Sequence, residues 1–293
     1  MFSIRAPRLT RPLLIILAGV LALAGLLFAS GQGASAHAAT TRTARTSVKA
    51  DASAPKPTIV LVHGAWADSG SWNAVTALLQ RAGYTVYAPP NPLEGLPIDT
   101  ATLNGFLKSI SGPIVLVGHS YGGEVITNAA DGNSQVKALV YDDAYLPAQG
   151  EDLMDLTTAG SCFYLPASED STVFNPVADP TSPSGEDLYV KQSVFPGCFA
   201  NGLPASQAAV LAATQRPLAT SALTDPSGTP AWATIPSWDI IGLNDHIVTP
   251  AEQLFMAHRA HAHITEVNAP HLSMISNPGV VASVIIQAAR ATG

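Results

Sequence analysis

The sequence has few charged residues, and few of those are basic. Charged residues make up 12% of the 293 positions, with 14 Lys and Arg against 21 Asp and Glu, so the net charge is −7. No stripe of Lys and Arg runs along the chain. Binding to nucleic acid requires a positive surface against the phosphates. The composition therefore argues against a nucleic-acid-binding protein.

Cysteine is equally scarce, with only Cys162 and Cys198 in the chain. The N-terminal segment described next predicts export, and in an oxidising environment a disulfide between the two is the natural interpretation. It would close a loop of about 35 residues, which stabilises a fold by a few kcal/mol. The alternative is a pair of buried free thiols. The Pro/Gly setting of Cys198, PGCF, is typical of a structural cysteine rather than a catalytic one.

The N-terminus has the layout of a secretory signal peptide. Arg5, Arg8 and Arg11 precede an apolar run from 13 to 29, and small residues follow at 34–36. We therefore predict a signal peptide over 1–36, cleavage near its end, a secreted protein and no lasting membrane anchor. An uncleaved anchor helix is the alternative, because the run is near the lower limit of about 17 residues for spanning a bilayer.

The remaining chain divides into a leader and one folded domain. Residues 37–57 are rich in Thr, Ala, Ser and Pro without an apolar period, which predicts a disordered leader. From 58 to 292, apolar runs of strand length alternate with runs of helical period. This alternation predicts an α/β fold with a mostly parallel sheet and helices on both faces. Residues from about 147 to 233 break the alternation, and we interpret them as a cap insertion over the sheet.

The predicted elements follow from these periods and from the Gly and Pro residues that bound them. The predicted strands are 58–64, 84–90, 113–120, 136–144, 237–243 and 263–268. The predicted helices are 72–82, 103–110, 121–130, 206–214, 250–260 and 277–292.

A serine stands between glycines at the junction of a predicted strand and a predicted helix, in Gly118-His119-Ser120-Tyr121-Gly122. The pattern G-x-S-x-G in this context is that of a nucleophile elbow, whose sharp turn requires small flanking residues. The helix after the serine directs its first N–H groups toward the place where negative charge would develop. We therefore predict that Ser120 is a nucleophile. A tight glycine-rich turn without chemistry is the alternative.

A nucleophilic serine of this kind is followed along the chain by an acid and then by a histidine. His271 lies in the loop NAPHLSM after the last predicted strand, and we predict that it is the general base. Asp245 lies in GLNDHIVTP, just past the preceding strand, and we predict that it orients the histidine. Asp142 and Asp143, at the end of an earlier strand, are the competing acids.

An oxyanion hole requires two backbone N–H groups near the serine. The residue after the nucleophile, Tyr121, supplies one. The loop after the first strand, VHGAWADSGSW, supplies the other, and its tight turn at 63–64 predicts the amide of Ala65.

Three histidines lie close together along the chain, at His258, His261 and His263, and their spacing is compatible with metal binding. No nearby cysteine or pair of carboxylates completes a set of three or four ligands. We therefore predict no metal and no other cofactor.

Four segments resemble one protein family. LVHGAWADSGSW, LVGHSYGG, GLNDHIVTP and APHLSM resemble the α/β-hydrolase superfamily, and most nearly its small-cap branch of plant methylesterases, hydroxynitrile lyases and secreted actinobacterial hydrolases. The resemblance spans 58–292 and is weakest over 147–233. Hydroxynitrile lyases of this branch typically carry Thr where Gly64 stands and Lys where Leu272 stands. The resemblance therefore implies an α/β-hydrolase fold and an esterase rather than a lyase.

Together these features predict a secreted serine hydrolase that cleaves small-molecule carboxylic esters through Ser120, His271, Asp245 and an acyl-enzyme. A peptidase, lactonase, perhydrolase or carbon–carbon lyase with the same triad remains an alternative. So do a ligand-binding protein of the same fold with little turnover and, on the Thr/Ala leader alone, a wall-associated interaction protein. The sequence leaves the oligomeric state open.

The predicted cap contains several aromatic residues that are candidates for the substrate pocket. These are Phe163, Tyr164, Phe195, Phe199 and Trp232. They would either line an apolar pocket or form the small core of the cap itself.

Overall fold

The computed structural model describes residues 55–165 and 170–292 of the chain. The predicted signal peptide and the predicted leader up to residue 54 lie outside the described residues. Numbered along the chain, the strands are β1 (Thr58–Val62), β2 (Val86–Tyr87), β3 (Ile114–His119), β4 (Val136–Asp142), β5 (Phe174–Ala178), β6 (Glu186–Val190), β7 (Leu218–Ala219), β8 (Ser237–Gly242) and β9 (His263–Val267).

Six of these strands form one parallel sheet in the order β2-β1-β3-β4-β8-β9. Every residue of β3 and β8 is buried, although successive side chains point to opposite faces. Both faces are therefore covered, as expected of a parallel sheet. β2 is shorter than predicted, because Pro89 and Pro90 have no N–H to donate to the sheet.

The described residues also form α-helices, several of which pack against strands of this sheet. They are α1 (Asn73–Arg81), α2 (Leu96–Leu107), α3 (Tyr121–Ala129), α4 (Leu153–Leu156), α5 (Asp170–Val173), α6 (Ala205–Thr214), α7 (Pro250–Arg259), α8 (Ser273–Ser276) and α9 (Pro278–Thr292). α1 packs against α9, and α2 packs against α3. Within the described ranges, no helix is long and apolar enough to cross a membrane.

A second, smaller sheet lies between β4 and β8 in the sequence. It is antiparallel, with the order β5-β6-β7, and the sequence analysis did not predict it. Its strands are short, β5 contains Pro176, and four of the five β5 residues are exposed. Such a strand shows no apolar run and no clear alternation, so only its pairing with β6 reveals it.

A disulfide joins Cys162 to Cys198 within this same region, with 6.1 Å between the Cα atoms. The amide of Cys162 donates a hydrogen bond to the carbonyl of His246, 2.8 Å away, next to Asp245. Phe199, beside Cys198, packs its ring 5.1 Å from that of His271. The disulfide therefore links two segments that each contact a loop of the candidate site.

Replacing both cysteines, Cys162→Ala with Cys198→Ala, is expected to lower the melting temperature by roughly 5–15 °C, because the 36-residue separation makes the unfolded chain much freer without the bond. Calorimetry of the oxidised protein and of the double variant measures this. Reducing the wild-type protein is the matched control and should reproduce the loss, whereas reductant should leave the variant unchanged. Equal melting of oxidised and reduced wild-type protein would contradict a stabilising disulfide.

Candidate active site

The turn between β3 and α3 carries Ser120 in an unusual backbone conformation, with φ 52° and ψ −127°. Close packing around the turn explains the flanking glycines. A Cβ on Gly118 would lie 2.5 Å from the carbonyl oxygen of Gly122, and a Cβ on Gly122 would lie 2.6 Å from that of Val62. Neither position accepts a side chain. The strained serine is thus held by backbone packing at the carboxyl end of the sheet.

The loops after β8 and β9 bring Asp245 and His271 together. The Nδ1 atom of His271 lies 2.8 Å from Oδ2 of Asp245, and neither side chain is exposed. Oδ1 of Asp245 accepts hydrogen bonds from the amides of Ile247 and Val248, and Oδ2 accepts a further one from Nε2 of Gln253. An ionised carboxylate only accepts hydrogen bonds and can accept several at once. Nδ1 of His271 is therefore the donor to Asp245. This leaves Nε2 of His271 as a potential proton acceptor.

His119 connects this pair to the serine turn. It precedes Ser120, its ring lies 4.7 Å from that of His271, and its Nε2 donates a 2.9 Å hydrogen bond to the carbonyl of His271. Burial lowers the pKa of His119 well below its ordinary value, so the ring is neutral. Among the described residues, Nε2 of His271 has no hydrogen-bond partner, and no hydrogen bond ends on Oγ of Ser120.

The turn after β1 places Ala65 on the wall of the cavity that Ser120 and Tyr121 also line. His63 fixes this turn: its Nδ1 donates to the carbonyl of Gly64 at 2.9 Å, and its Nε2 accepts from the amide of Asn91 at 3.0 Å. Burial lowers the pKa of His63 to about 4, which keeps the ring neutral. Within the described chain, neither the Ala65 nor the Tyr121 amide donates a hydrogen bond. Both remain available to an oxyanion.

Asp99 is a buried residue of this site that the sequence analysis missed. Its Oδ2 accepts a 2.8 Å hydrogen bond from the hydroxyl of Tyr121, and its Oδ1 accepts one from the amide of Glu94. Burial raises the pKa of Asp99 to about 6, against the opposing effect of these bonds. The predicted helix began only at residue 103, whereas α2 begins at Leu96, so the first turn that carries Asp99 was not part of the prediction.

Asp142 and Asp143, the competing acids, bind Ser273 instead of His271. Oδ1 of Asp142 accepts from the hydroxyl of Ser273, and Oδ2 of Asp143 accepts from the Ser273 amide at 3.3 Å. Oδ1 of Asp143 accepts from the amide of Gly242 at 2.7 Å. Asp143 therefore ties the end of β8, which leads to Asp245, to the segment just after His271. Of the three acids, only Asp245 is hydrogen-bonded to the histidine.

Asp142 should make stability depend on pH. Burial raises its pKa to about 7, against the opposing effect of the Ser273 hydrogen bond. The folded protein therefore holds a proton that the unfolded chain releases near pH 4. The resulting stabilisation is complete below about pH 4 and is lost as the pH rises through about 7. Asp142→Asn cannot ionise, so between pH 5 and pH 8 the wild-type melting temperature should fall by several degrees relative to that of the variant.

Melting curves of both proteins at the two pH values, at equal ionic strength, measure this difference. Asp131→Asn, an exposed carboxyl, is the matched control and should melt in parallel with the wild type at both pH values. If the difference in melting temperature between the wild type and Asp142→Asn is the same at both pH values, Asp142 does not titrate in this range.

An apolar cavity of about 210 Å³ opens beside Ser120. Its wall is built mainly by aromatic and aliphatic side chains from the β1 turn, the segment after β4 and the small sheet. The lining residues are Ala65, Trp66, Ser120, Tyr121, Tyr145, Leu153, Met154, Thr157, Phe163, Phe174, Pro176, Glu186, Leu188, Leu218, Thr220, Leu223 and Ile247.

Of the five cap aromatics predicted as candidates, only Phe163 lines this cavity. Phe195 and Phe199 are buried in the core, Tyr164 is 56% exposed, and Trp232 donates to the carbonyl of Pro147. Of the two alternatives, pocket lining therefore holds for Phe163, and burial in the core holds for Phe195 and Phe199. The other aromatic residues of the wall are Trp66, Tyr121, Tyr145 and Phe174, with the Trp66 ring stacked on that of Phe174 at 5.5 Å.

Among the described residues, no group of three or more His, Cys, Asp or Glu side chains is arranged to hold a metal ion. His263 packs instead on the ring of Trp238, 4.8 Å away.

Sequence comparison places the chain in a family. A family model described as the alpha/beta hydrolase family matches residues 59–284. The chain belongs to the alpha/beta hydrolase family. The predicted fold class is thereby confirmed, with its mostly parallel sheet and the helices on both faces.

One curated relative matches part of this chain. A carbendazim hydrolyzing esterase from Nocardioides sp. (strain SG-4G) is 37% identical over 110 residues, which are 33% of this chain and 46% of the relative. The alignment thus spans less than half the length of that relative.

Two solved structures share the fold over most of their length. A pyrethroid hydrolase from Sphingobium faniae JZ-2 is 23% identical, with a TM-score of 0.62, over 80% of this chain and 98% of its own. An extracellular alpha/beta-hydrolase from a Paenibacillus species is 20% identical, with a TM-score of 0.65, over 79% and 98%. At these identities the likeness concerns the fold.

Proposed function

We propose that this α/β hydrolase is a serine esterase that cleaves carboxylic esters of small molecules. The observation that carries the proposal is the hydrogen bond of His271 Nδ1 to Asp245 Oδ2, with Nε2 left without a partner in a ring that lies 4.7 Å from that of His119, the residue before Ser120. A relative named an esterase and a structural neighbour named a pyrethroid hydrolase support the same class of reaction.

In the proposed mechanism, Nε2 of His271 takes the proton of Ser120 Oγ as that oxygen bonds to the ester carbonyl carbon. The carbonyl electrons move onto oxygen, where the amides of Ala65 and Tyr121 donate to the oxyanion. When the intermediate collapses, the bond to the alcohol oxygen breaks and His271 protonates the leaving alcohol. Water then attacks the acyl-enzyme by the same route and releases the acid and free Ser120.

Two positions favour an esterase over a lyase of the same branch. Gly64 stands where the lyases typically carry Thr, and a Cβ there would lie 2.7 Å from both the carbonyl oxygen of His119 and the Cβ of Ser120. The position after His271 is Leu272, which is buried and brings no charge. Carbon–carbon lyase chemistry therefore lacks the side chains that the resemblance associates with it.

We also propose that the protein is exported. The N-terminal pattern of Arg residues, apolar run and small residues supports a cleaved signal. The disulfide supports an oxidising destination. The neighbour from Paenibacillus is itself named extracellular.

The test is covalent labelling together with turnover. The protein is treated with a fluorophosphonate probe, its intact mass is measured and the labelled peptide is sequenced, while p-nitrophenyl esters of increasing acyl length are assayed. One adduct on Ser120 with ester turnover is the expected result. A folded protein with no adduct and no turnover would overturn the proposal and favour a ligand-binding protein of the same fold.

A further inference from the structure

The wall of the cavity beside Ser120 has used its own hydrogen-bond donors. Nε1 of Trp66 donates to the carbonyl of Leu188 at 2.9 Å, and the hydroxyl of Tyr121 donates to Asp99 at 2.8 Å. The hydroxyl of Thr220 donates to the carbonyl of Glu186 at 3.0 Å. Each of these bonds holds a wall residue in place and leaves its side chain no N–H or O–H to offer a ligand.

The remaining hydroxyl pair of the wall is satisfied in the same way. The hydroxyl of Thr157 donates to the carbonyl of Leu153 at 2.7 Å, so the 2.9 Å bond between Thr157 and Tyr145 takes the proton of Tyr145. The free side-chain donor among the described lining residues is therefore the Ser120 hydroxyl, and the amides of Ala65 and Tyr121 beside it also donate no hydrogen bond. All three serve the reacting carbonyl in the proposed function.

The charge on the wall of the cavity is negative and comes from one described side chain, that of Glu186. Glu186 is the only ionisable carboxyl or amine among the lining side chains, and it is exposed, as are Met154 and Pro176, which marks the opening of the cavity. No hydrogen bond or ion pair of the described residues involves its carboxylate. Other acids lie close to Glu186: Asp187 follows it in the chain, and Asp179 follows Ala178, which pairs with Glu186. Burial is the main cause that raises the pKa of Glu94, and the charges of Asp187 and Asp179 raise it further, while Arg216 acts in the opposite direction.

We infer that this site takes esters whose cavity-bound group is uncharged and apolar, and that Glu186 selects against anionic substrates. The inference rests on the proposed esterase function and specifies its substrate class. An apolar cavity of about 150 Å³ holds a benzene molecule. The present cavity, at about 210 Å³, therefore has room for an aryl ring or a short branched alkyl group.

The physical reason is the loss of hydration without replacement. A carboxylate entering the cavity would give up its hydrogen bonds to water, and apart from Ser120, which serves the reacting carbonyl, it would find no free side-chain donor on the wall. It would also approach the like charge of Glu186. An alkyl or aryl group has no such bonds to lose and gains from the burial of its surface.

The test uses esters that differ in charge but not in length or leaving group. In the acyl series, kcat/KM is measured for the p-nitrophenyl esters of pentanoate, of glutarate, whose free carboxylate is anionic, and of 4-(trimethylammonio)butanoate. In the alcohol series, pentyl butanoate is compared with 4-carboxybutyl butanoate. The cavity holds the variable group in one of the two series. In that series, kcat/KM of the neutral ester should exceed that of the anionic ester by about tenfold or more.

Glu186→Gln then isolates the contribution of the charge. It should raise the anionic-to-neutral ratio of kcat/KM by about two- to fivefold at low ionic strength and lower the cationic-to-neutral ratio, and both changes should shrink at 0.5 M salt. Glu266→Gln, an exposed carboxyl on strand β9, is the matched control and should leave both ratios unchanged. Because position 186 is exposed, the variant is expected to melt with the wild type.

Anionic esters cleaved within about twofold of neutral ones in both series would overturn the inference while the esterase function stands. So would a Glu186→Gln variant whose ratios match those of Glu266→Gln. Failure of every neutral ester together with absence of fluorophosphonate labelling would instead overturn the proposed function.

Discussion

Ser120→Ala is expected to reduce ester turnover by about 10⁴-fold or more, because it removes the atom that bonds to the substrate carbonyl. The residual rate would come from the oxyanion amides and binding alone. Stability should change little. Alanine adopts the φ of 52° with the same strain as serine, and no hydrogen bond of the described residues is lost with the hydroxyl. Steady-state kinetics on a p-nitrophenyl ester and a melting curve measure the two effects.

Ser237→Ala is the matched control for this prediction. Ser237 is also a buried serine, but it lies at the start of β8, at the opposite edge of the sheet from Ser120, and its hydroxyl donates to the carbonyl of Ile235. Its replacement should leave turnover and probe labelling intact. Persistent hydrolysis in a folded Ser120→Ala protein would mean that the nucleophile lies elsewhere.

The sheet could be predicted from the sequence because its central strands are buried on both faces. β1 and β3 contain the uninterrupted apolar runs 59–62 and 114–117, and such runs are visible without any knowledge of the tertiary structure. The small sheet was missed because its strands depend on one another: Leu188 of β6 pairs with Pro176 of β5 and Leu218 of β7, which are distant in sequence. Pairing over such distances leaves no local period to detect.

The candidate site also has one part that could be predicted from the sequence and one part that could not. Ser120, Asp245 and His271 could be proposed because each follows a strand, and parallel strands bring their carboxyl ends to one edge. The cavity could not be predicted, because the direction of a loop side chain depends on its packing. Phe199 turns toward His271 and the core, whereas Phe163 faces the cavity, although both flank the disulfide. Glu186 was missed for the same reason, since nothing local distinguishes it from other exposed acids.

Asp245→Asn is expected to lower kcat by about 10³- to 10⁴-fold with a much smaller change in KM, because it would reverse the hydrogen bond that sets the tautomer of His271. The amides of Ile247 and Val248 both donate to Oδ1, so the amide oxygen of asparagine would take that position. Its NH₂ group would then face Nδ1 of His271 and donate to it. The ring proton would move to Nε2, which could no longer accept the proton of Ser120.

Kinetics at pH 7.5 on one neutral ester, for Asp245→Asn beside Asp142→Asn, measure this effect. Both changes neutralise a buried acid near the serine, but the Asp142 side chain binds Ser273 rather than His271, so its loss should leave most of kcat. The tautomer also gives an independent signature, since ¹⁵N NMR of His271 should show the proton on Nδ1 in the wild type and on Nε2 in Asp245→Asn. A large loss of kcat in Asp142→Asn or Asp143→Asn, with Asp245→Asn near the wild type, would assign the acid to the end of β4. Because the Asp245 carboxylate is the only one of the three that is hydrogen-bonded to His271, the geometry favours Asp245 as the acid, and the large loss of kcat is expected in Asp245→Asn.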